Sequence, residues 1–339
     1  PIITKTGDGT WVVLLTSGYN NVSPGDGNGH LFIVNASTGA KVLDSAHEIV
    51  TNDEAGSPVG NTSTPSGLGK INAYTAGVGD NTPEVIYGGD LLGNVWRFDI
   101  SSKVPPYMAA MRLGQLKVGS VPQPITSKPA LADVNYLGTT FKVVYVGTGE
   151  YLGASDLANT SKQSIYALKD TRSATGLGDV RNDSKMVVQT ASAASSATLG
   201  GIVQVTSNAV NWAANDGWYM DLIGSGERVS VNPHLVLNTL YIGTNTPKSD
   251  ACTVGGTSML YRLDIGTGSA LSGATDKAAG ISLGDVLVMG MTTVQLNAQA
   301  LSSNVTTIVT RSDGTLSTVT GALPTSTGVL RRTSWRVLK

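Results

Sequence analysis

The sequence predicts an all-β protein, an irregular β-propeller of about seven blades with loop insertions. Three observations carry this. Charged residues make up only 14% of the 339 residues while 41 are glycine, a composition that suits a turn-rich β protein better than a helical bundle. Apolar runs rich in β-branched and aromatic residues recur along the chain and end in glycine. Each is followed by a strand in which apolar and polar residues alternate into an Asn or Asp turn.

In chain order the apolar runs are Val12–Gly18 (VVLLTSG), Val85–Gly89 (VIYGG), Val143–Gly149 (VVYVGTG) and Leu240–Thr244 (LYIGT). Their length and composition fit strands buried on both faces. Their successors are His30–Gly39 (HLFIVNASTG), Asn94–Ser102 (NVWRFDISS), Ser164–Gly176 (SIYALKDTRSATG) and Met259–Gly268 (MLYRLDIGTG). Asn35, Asp99, Asp170 and Asp264 occupy the shared turn position, where an Asx-turn reverses the chain. The intervals between them exceed the roughly 40–50 residues of one propeller blade, so insertions or degenerate blades lie between, and a sandwich or a solenoid is the alternative architecture. Only short helical candidates occur, at Met108–Leu116 and Ala191–Leu199, and the Ser/Ala-rich stretch Asn182–Gly200 reads as an insertion on one face. Residues 1–339 are expected to form a single propeller domain.

Composition also excludes function classes. A net charge of −1 supplies no field to recruit nucleic acid or an anionic membrane. No apolar run reaches the roughly 18 residues of a membrane span. Cys252 is the one cysteine and reads as a small loop residue rather than half of a disulfide. The strand-like opening at Pro1, with no leader before it, is expected of a fragment from a larger secreted precursor.

Several stretches resemble one family in order along nearly the whole chain: Gly89–Ile100 (GDLLGNVWRFDI), Val144–Asp170 (VYVGTGEYLGASDLANTSKQSIYALKD), Gly217–Val229 (GWYMDLIGSGERV), Thr246–Asp264 and Arg331–Lys339 (RRTSWRVLK). They look like the C-terminal β-propeller domain of the PilC/PilY family, tip-associated adhesins and biogenesis factors of type IV pili. The resemblance implies a non-enzymatic protein at the bacterial cell surface. It would promote pilus biogenesis and extension, meet minor pilins at the tip, and attach to host-cell or abiotic surfaces. The family's variable N-terminal region has no counterpart in this sequence.

The resemblance also implies a calcium-binding Asp-rich loop just before the Tyr-x-Gly-Asp strand. Counting back from Tyr87, its four side-chain positions fall on Ala76, Val78, Asp80 and Glu84. Ala76 and Val78 carry no ligand oxygen, which leaves Asp80 and Glu84 for a cation that wants about 6–8 oxygens. The expectation is either no cofactor or a weak Ca²⁺ site, with a metal-free turn favoured. Asp26 and Asn28 in GDGNGH, Asp133 and Asn135, and Asp179, Asn182 and Asp183 are weaker oxygen clusters, read as Asx-turns or exposed loops.

An enzyme is not expected. His30, His47 and His234 share no metal-ligand spacing with one another or with Cys252. Ser225 has no identifiable base, and Val146–Gly153 lacks the Lys-Ser/Thr of a phosphate loop. Quinoprotein dehydrogenases share the propeller but need an adjacent cysteine pair. A secreted glycan-binding or scaffold propeller unrelated to pili is the competing reading. The loops expected to carry binding are Tyr19–Gly29, Gly77–Glu84, Asp156–Lys162 and Thr246–Thr257.

Overall fold

In the computed structural model, which describes residues 1–42, 48–75, 81–104, 106–248, 255–295 and 305–321, each apolar run is a strand hydrogen-bonded to its alternating successor. The chain groups into two compact units, whose described parts are Pro1–Leu131 with Asp170–Asp183, and Ala132–Lys169 with Ser184 onward.

In the first unit, β1 (Ile2–Lys5), β2 (Trp11–Thr16), β3 (His30–Asn35) and β4 (Glu48–Val50) form an antiparallel sheet in sequence order. A second antiparallel sheet follows from β5 (Ile71–Thr75), β6 (Pro83–Gly89), β7 (Asn94–Phe98) and β8 (Ala110–Gln115). A ribbon of β9 (Lys117–Val118) and β10 (Val121–Pro122) comes next. Val12, Leu14, Leu31, Ile33 and Ile49 of the first sheet pack with Ile71, Ile86, Trp96 and Phe98 of the second into one core cluster. Period-two alternation builds this cluster, because alternate residues of each strand face it.

The other face of the first sheet is unusual. Cross-strand neighbours Ile3 and Val13, Val13 and Val34, and Leu15 and Phe32 line it. Ile3 is 48% exposed, and Trp11 and Leu15 are each 40% exposed. Thus β2, expected to be buried on both faces, is buried on one only. Lys5 lies over the Trp11 ring at 4.9 Å and Lys41 over Phe32 at 5.8 Å, so cations rim an apolar row.

Farther along, β11 (Ala130–Tyr136), β12 (Thr139–Gly147) and β13 (Ser164–Asp170) are followed by β14 (Met186–Gln189), β15 (Ala191–Ser196), β16 (Gly200–Val205) and β17 (Gly217–Asp221). Then come β18 (His234–Val236), β19 (Thr239–Pro247), β20 (Gly256–Asp264) and β21 (Ala278–Gly284). The last are β22 (Val288–Gln295), β23 (Val305–Arg311) and β24 (Leu316–Gly321). They make sheets of order β11-β12-β13-β17-β14, β15-β16-β21-β20-β19-β18 and β22-β23-β24. Short 3₁₀ turns occur at Ala154–Ala158, Val180–Asn182 and Thr275–Lys277, and no α-helix occurs among the described residues.

Neither short helical candidate forms a helix. Met108–Leu116 contains β8, whose Met111 and Leu113 face inward at strand spacing, and Ala191–Leu199 contains β15, registered against β16. Ladder hydrogen bonds to a neighbouring strand override the modest helix preference of short Ala- and Leu-containing segments. Asn182–Gly200 is likewise no simple insertion, because β14 pairs in parallel with β17 and β15 edges the six-stranded sheet.

The repeated turn residue does what its chemistry predicts. Asn35 accepts from the Ser37 and Thr38 amides, Asp99 from Ser101, Asp170 from Arg172, and Asp264 from Gly266 and Thr267. In the second unit the turn after Asp264 is pinned further. Tyr145 and Trp218 both donate to the Ile265 carbonyl at 3.0 Å, and Trp212 donates to Gly266 at 2.8 Å.

Two glycines of the apolar runs, Gly89 and Gly147, serve packing. A Cβ on Gly89 would lie 2.2 Å from the Ile125 side chain, and one on Gly147 would lie 2.6 Å from Val229. Neither residue has a left-handed backbone, so close approach is the reason for glycine at both positions.

Candidate functional site

Glu84, expected at the end of a loop, is the second residue of strand β6. Its carboxylate meets the Arg172 guanidinium at 2.8 Å. Arg172 follows β13 in a left-handed conformation, φ 61°, and its guanidinium also lies over the Tyr74 ring at 5.7 Å. Tyr74 is in β5 and Glu84 in β6, so a single cation clasps the two strands that the segment 76–82 joins. Ala76, Val78 and Asp80 lie outside the described residues.

Beneath this clasp lies a buried polar cluster. Arg97 of β7 and Asp170 at the end of β13 pair at 2.6 Å with both side chains 1% exposed. Tyr87 of β6 donates its hydroxyl to the other Asp170 oxygen. Burial, followed by the Asp170 charge beside it, pushes the Tyr87 phenol far up, so it stays a protonated donor. Asp170 thus serves as turn residue, ion-pair partner and phenol acceptor at once.

The Gly-Asp that precedes β7 forms a second buried node. Asp90 is fully buried and accepts from the Leu92 amide at 2.9 Å and from the Asn94 amide, the Asn94 side chain and the Trp96 indole at 2.8 Å each. Burial raises its pKa to about 6 against the opposing pull of these donors. The spacing Asp-x-x-x-Asn-x-Trp therefore folds one tight turn and fixes the start of a core strand.

In the second unit, Arg228 holds the β12–β13 connection. Its guanidinium donates to the carbonyls of Gly226, Glu150, Asp156 and Asn159. Asp156 in turn accepts from the Leu152 and Gly153 amides. Next to Arg228, Glu227 accepts from Gly224, Thr244 and Tyr261. The Gly-Ser-Gly-Glu-Arg stretch is thus a structural anchor.

The weaker oxygen clusters behave as turns and ion pairs. Asp26 accepts from the Asn28 amide at 2.9 Å and meets His30 at 2.9 Å, while the other ring nitrogen of His30 faces Glu48 at 3.4 Å. Burial raises the Asp26 pKa, but hydrogen bonds from His30 and Asn28 outweigh it and hold the carboxyl at about 2. Asp133 pairs with Lys142, and Asp179 caps the turn at Val180–Asn182 while pairing with Lys117. Among the described residues no three His, Cys, Asp or Glu side chains are grouped to hold a metal, and no helix is long and apolar enough to cross a membrane. His47 and Cys252 lie outside the described residues.

Sequence reasoning did not foresee Arg172, Arg97 or Arg228 in these roles. The available signal was an arginine at an inward-facing position of an otherwise apolar strand, as in NVWRF, which requires a buried anion.

A family model described as the PilY1 beta-propeller domain matches residues 1–198. The chain belongs to the PilY1 family. A type IV pilus biogenesis factor PilY1 homolog from Xylella fastidiosa is 30% identical across 99% of this chain and 26% of its own length. The type IV pilus biogenesis factor PilY1 of Pseudomonas aeruginosa is 27% identical across 80% of this chain and 25% of its own. The chain thus spans about a quarter of these PilY1 relatives. The crystal structure of the P. aeruginosa PilY1 C-terminal domain matches with a TM-score of 0.72 at 20% identity, covering 96% of this chain and 72% of that one. The all-β propeller fold expected from the sequence is the fold of this PilY1 domain. Three of the four repeated strand pairs fall within the PilY1 match, and the pair β19–β20 lies beyond it.

Proposed function

We propose that residues 1–339 form the C-terminal β-propeller domain of a type IV pilus biogenesis factor, acting at the pilus tip on the bacterial surface. Its action is binding rather than catalysis. It supports pilus extension by contacting minor pilins, and it contributes to attachment to host-cell or abiotic surfaces. The observation that carries this reading is the open apolar row of the first sheet, Ile3, Trp11 and Leu15, in a chain whose family comprises pilus biogenesis factors. An apolar row rimmed by Lys5 and Lys41 has the composition of an interaction surface, and leaving it in water forfeits about 1 kcal/mol or more per large side chain. Deleting the gene is expected to abolish surface pili and twitching, with recovery on re-expression. Normal piliation in the deletion strain would contradict the reading.

The loop before β6 does not fit a resident calcium ion, and we read it as metal-free. Ala76 and Val78 offer no side-chain oxygen, and the Glu84 carboxylate is engaged by Arg172 at 2.8 Å. A cation already at the base of the loop repels a second one. Calorimetric titration with Ca²⁺ is expected to give no saturable heat, for the wild type and for Asp80→Ala alike. Saturable binding lost in Asp80→Ala would overturn it.

A further inference from the structure

Arg262 of β20 lies buried in the second unit without a counter-ion among the described residues. It is 8% exposed, and its Nε has no hydrogen-bond acceptor. Other deep guanidiniums of this chain are held, Arg97 by Asp170 and Arg228 by four backbone carbonyls. Asp264, two positions on and so on the same face of the strand, turns its Oδ1 to the Gly266 and Thr267 amides and to the Thr267 hydroxyl. Across the ladder stands Tyr241 of β19, itself 4% exposed. On the other side β21 offers only Ala279 and Gly280 at this level. Burial lowers the Arg262 pKa, offset in part by Tyr241, yet an arginine keeps its proton in a protein. A charge retained at this depth is costly until an anion meets it.

We propose that Arg262, with Tyr241 beside it, binds a small free carboxylate that serves as the missing counter-ion. The Nε–H belongs to the side-on fork that a planar carboxylate grips with two parallel hydrogen bonds, and here that nitrogen has no other acceptor. Burial raises the Tyr241 pKa, so its hydroxyl stays protonated and supplies a third donor from the facing position of the ladder. One guanidinium neutralises one charge, which favours a monoanion over phosphate near neutral pH. Chloride lacks the second oxygen that the fork needs. With Arg262 and Tyr241 both more than nine-tenths buried, the approach suits an acid of acetate size rather than a folded partner.

The test is titration of the chain with acetate, phosphate and chloride at constant ionic strength in a zwitterionic buffer. The Arg262 Nε proton resonance is followed by NMR, and the unfolding temperature by calorimetry. Acetate is expected to shift that resonance saturably and to raise Tm by about 3 °C or more at roughly a hundredfold excess over its Kd. Phosphate and chloride should bind more weakly by about tenfold or more. Arg262→Met should abolish the acetate dependence of Tm. Tyr241→Phe, which keeps the guanidinium, should weaken acetate binding by about threefold to tenfold. The proposal is overturned by an Arg262 resonance that does not saturate with acetate, by phosphate or chloride binding as tightly as acetate, or by an acetate dependence unchanged in Arg262→Met. The resonance is read in the wild type, so the test stands even where a variant fails to fold. Failure here leaves the pilus reading intact, because that reading rests on the first sheet.

Discussion

Replacing Arg97 with Met is expected to lower the unfolding free energy by about 3–5 kcal/mol, because it removes the guanidinium that pairs with the Asp170 carboxylate in the interior. Both partners are 1% exposed, so water cannot take over the lost charge. Urea denaturation should show a lower midpoint with an unchanged slope, since the surface exposed on unfolding is the same. Arg97→Met with Asp170→Leu should recover much of the loss, as an apolar replacement of a whole buried pair is often neutral. Recovery should be incomplete until Tyr87→Phe is added, because the Tyr87 hydroxyl otherwise keeps no acceptor in place of Asp170. An Arg97→Met protein as stable as the wild type would remove the pair from any account of this fold.

Asp90→Ala is expected to cost about 3 kcal/mol or more, since the Asn94 amide, the Asn94 side chain and the Trp96 indole all lose their acceptor within the core. The same residue makes stability depend on pH. Its folded pKa of about 6 lies above the ordinary value of 3.8, so the native chain holds a proton that the unfolded chain has lost between the two. The contribution is fully present below about pH 4 and falls as pH rises toward 6, by roughly 3 kcal/mol, then stays flat. Relative to Asp90→Ala, the wild type should therefore lose stability across that window. The Trp96 indole proton resonance should move with a midpoint near pH 6. A midpoint near pH 4, with no difference in slope between the two proteins, would show that burial does not dominate at Asp90.

Local chemistry was legible in the sequence, and long-range pairing was not. The strand pairs could be read because their signals are short-range: alternation at period two, a closing glycine, and an Asx acceptor at Asn35, Asp99, Asp170 and Asp264. The Asp26–Asn28 turn could be read for the same reason. Nothing local told Asp170 apart from Asp99, yet Asp170 also takes Arg97 and Tyr87, which are brought to it by tertiary folding. Arg172 lies 88 positions from Glu84, so the clasp at the base of the 76–82 segment could not be inferred from spacing. The glycines were legible as strand ends, but Gly89 and Gly147 owe their identity to Ile125 and Val229, which no periodicity links to them. Met108–Leu116 was a helical candidate only because its residue types tolerate a helix, and pairing with β7 makes it a strand. For β2 the composition demanded two buried faces where the fold buries one, and that mismatch locates the proposed interface.

The most direct test of that claim is surface piliation in a deletion strain re-expressing a Trp11→Ser, Leu15→Ser variant, both positions lying on the open row. Each residue is 40% exposed, so the two substitutions are expected to cost about 1–2 kcal/mol apiece, and immunoblotting with limited proteolysis checks that the secreted variant is folded at the wild-type level. The account predicts loss of surface pili and twitching despite normal levels of folded protein. Wild-type piliation from the double variant would contradict it.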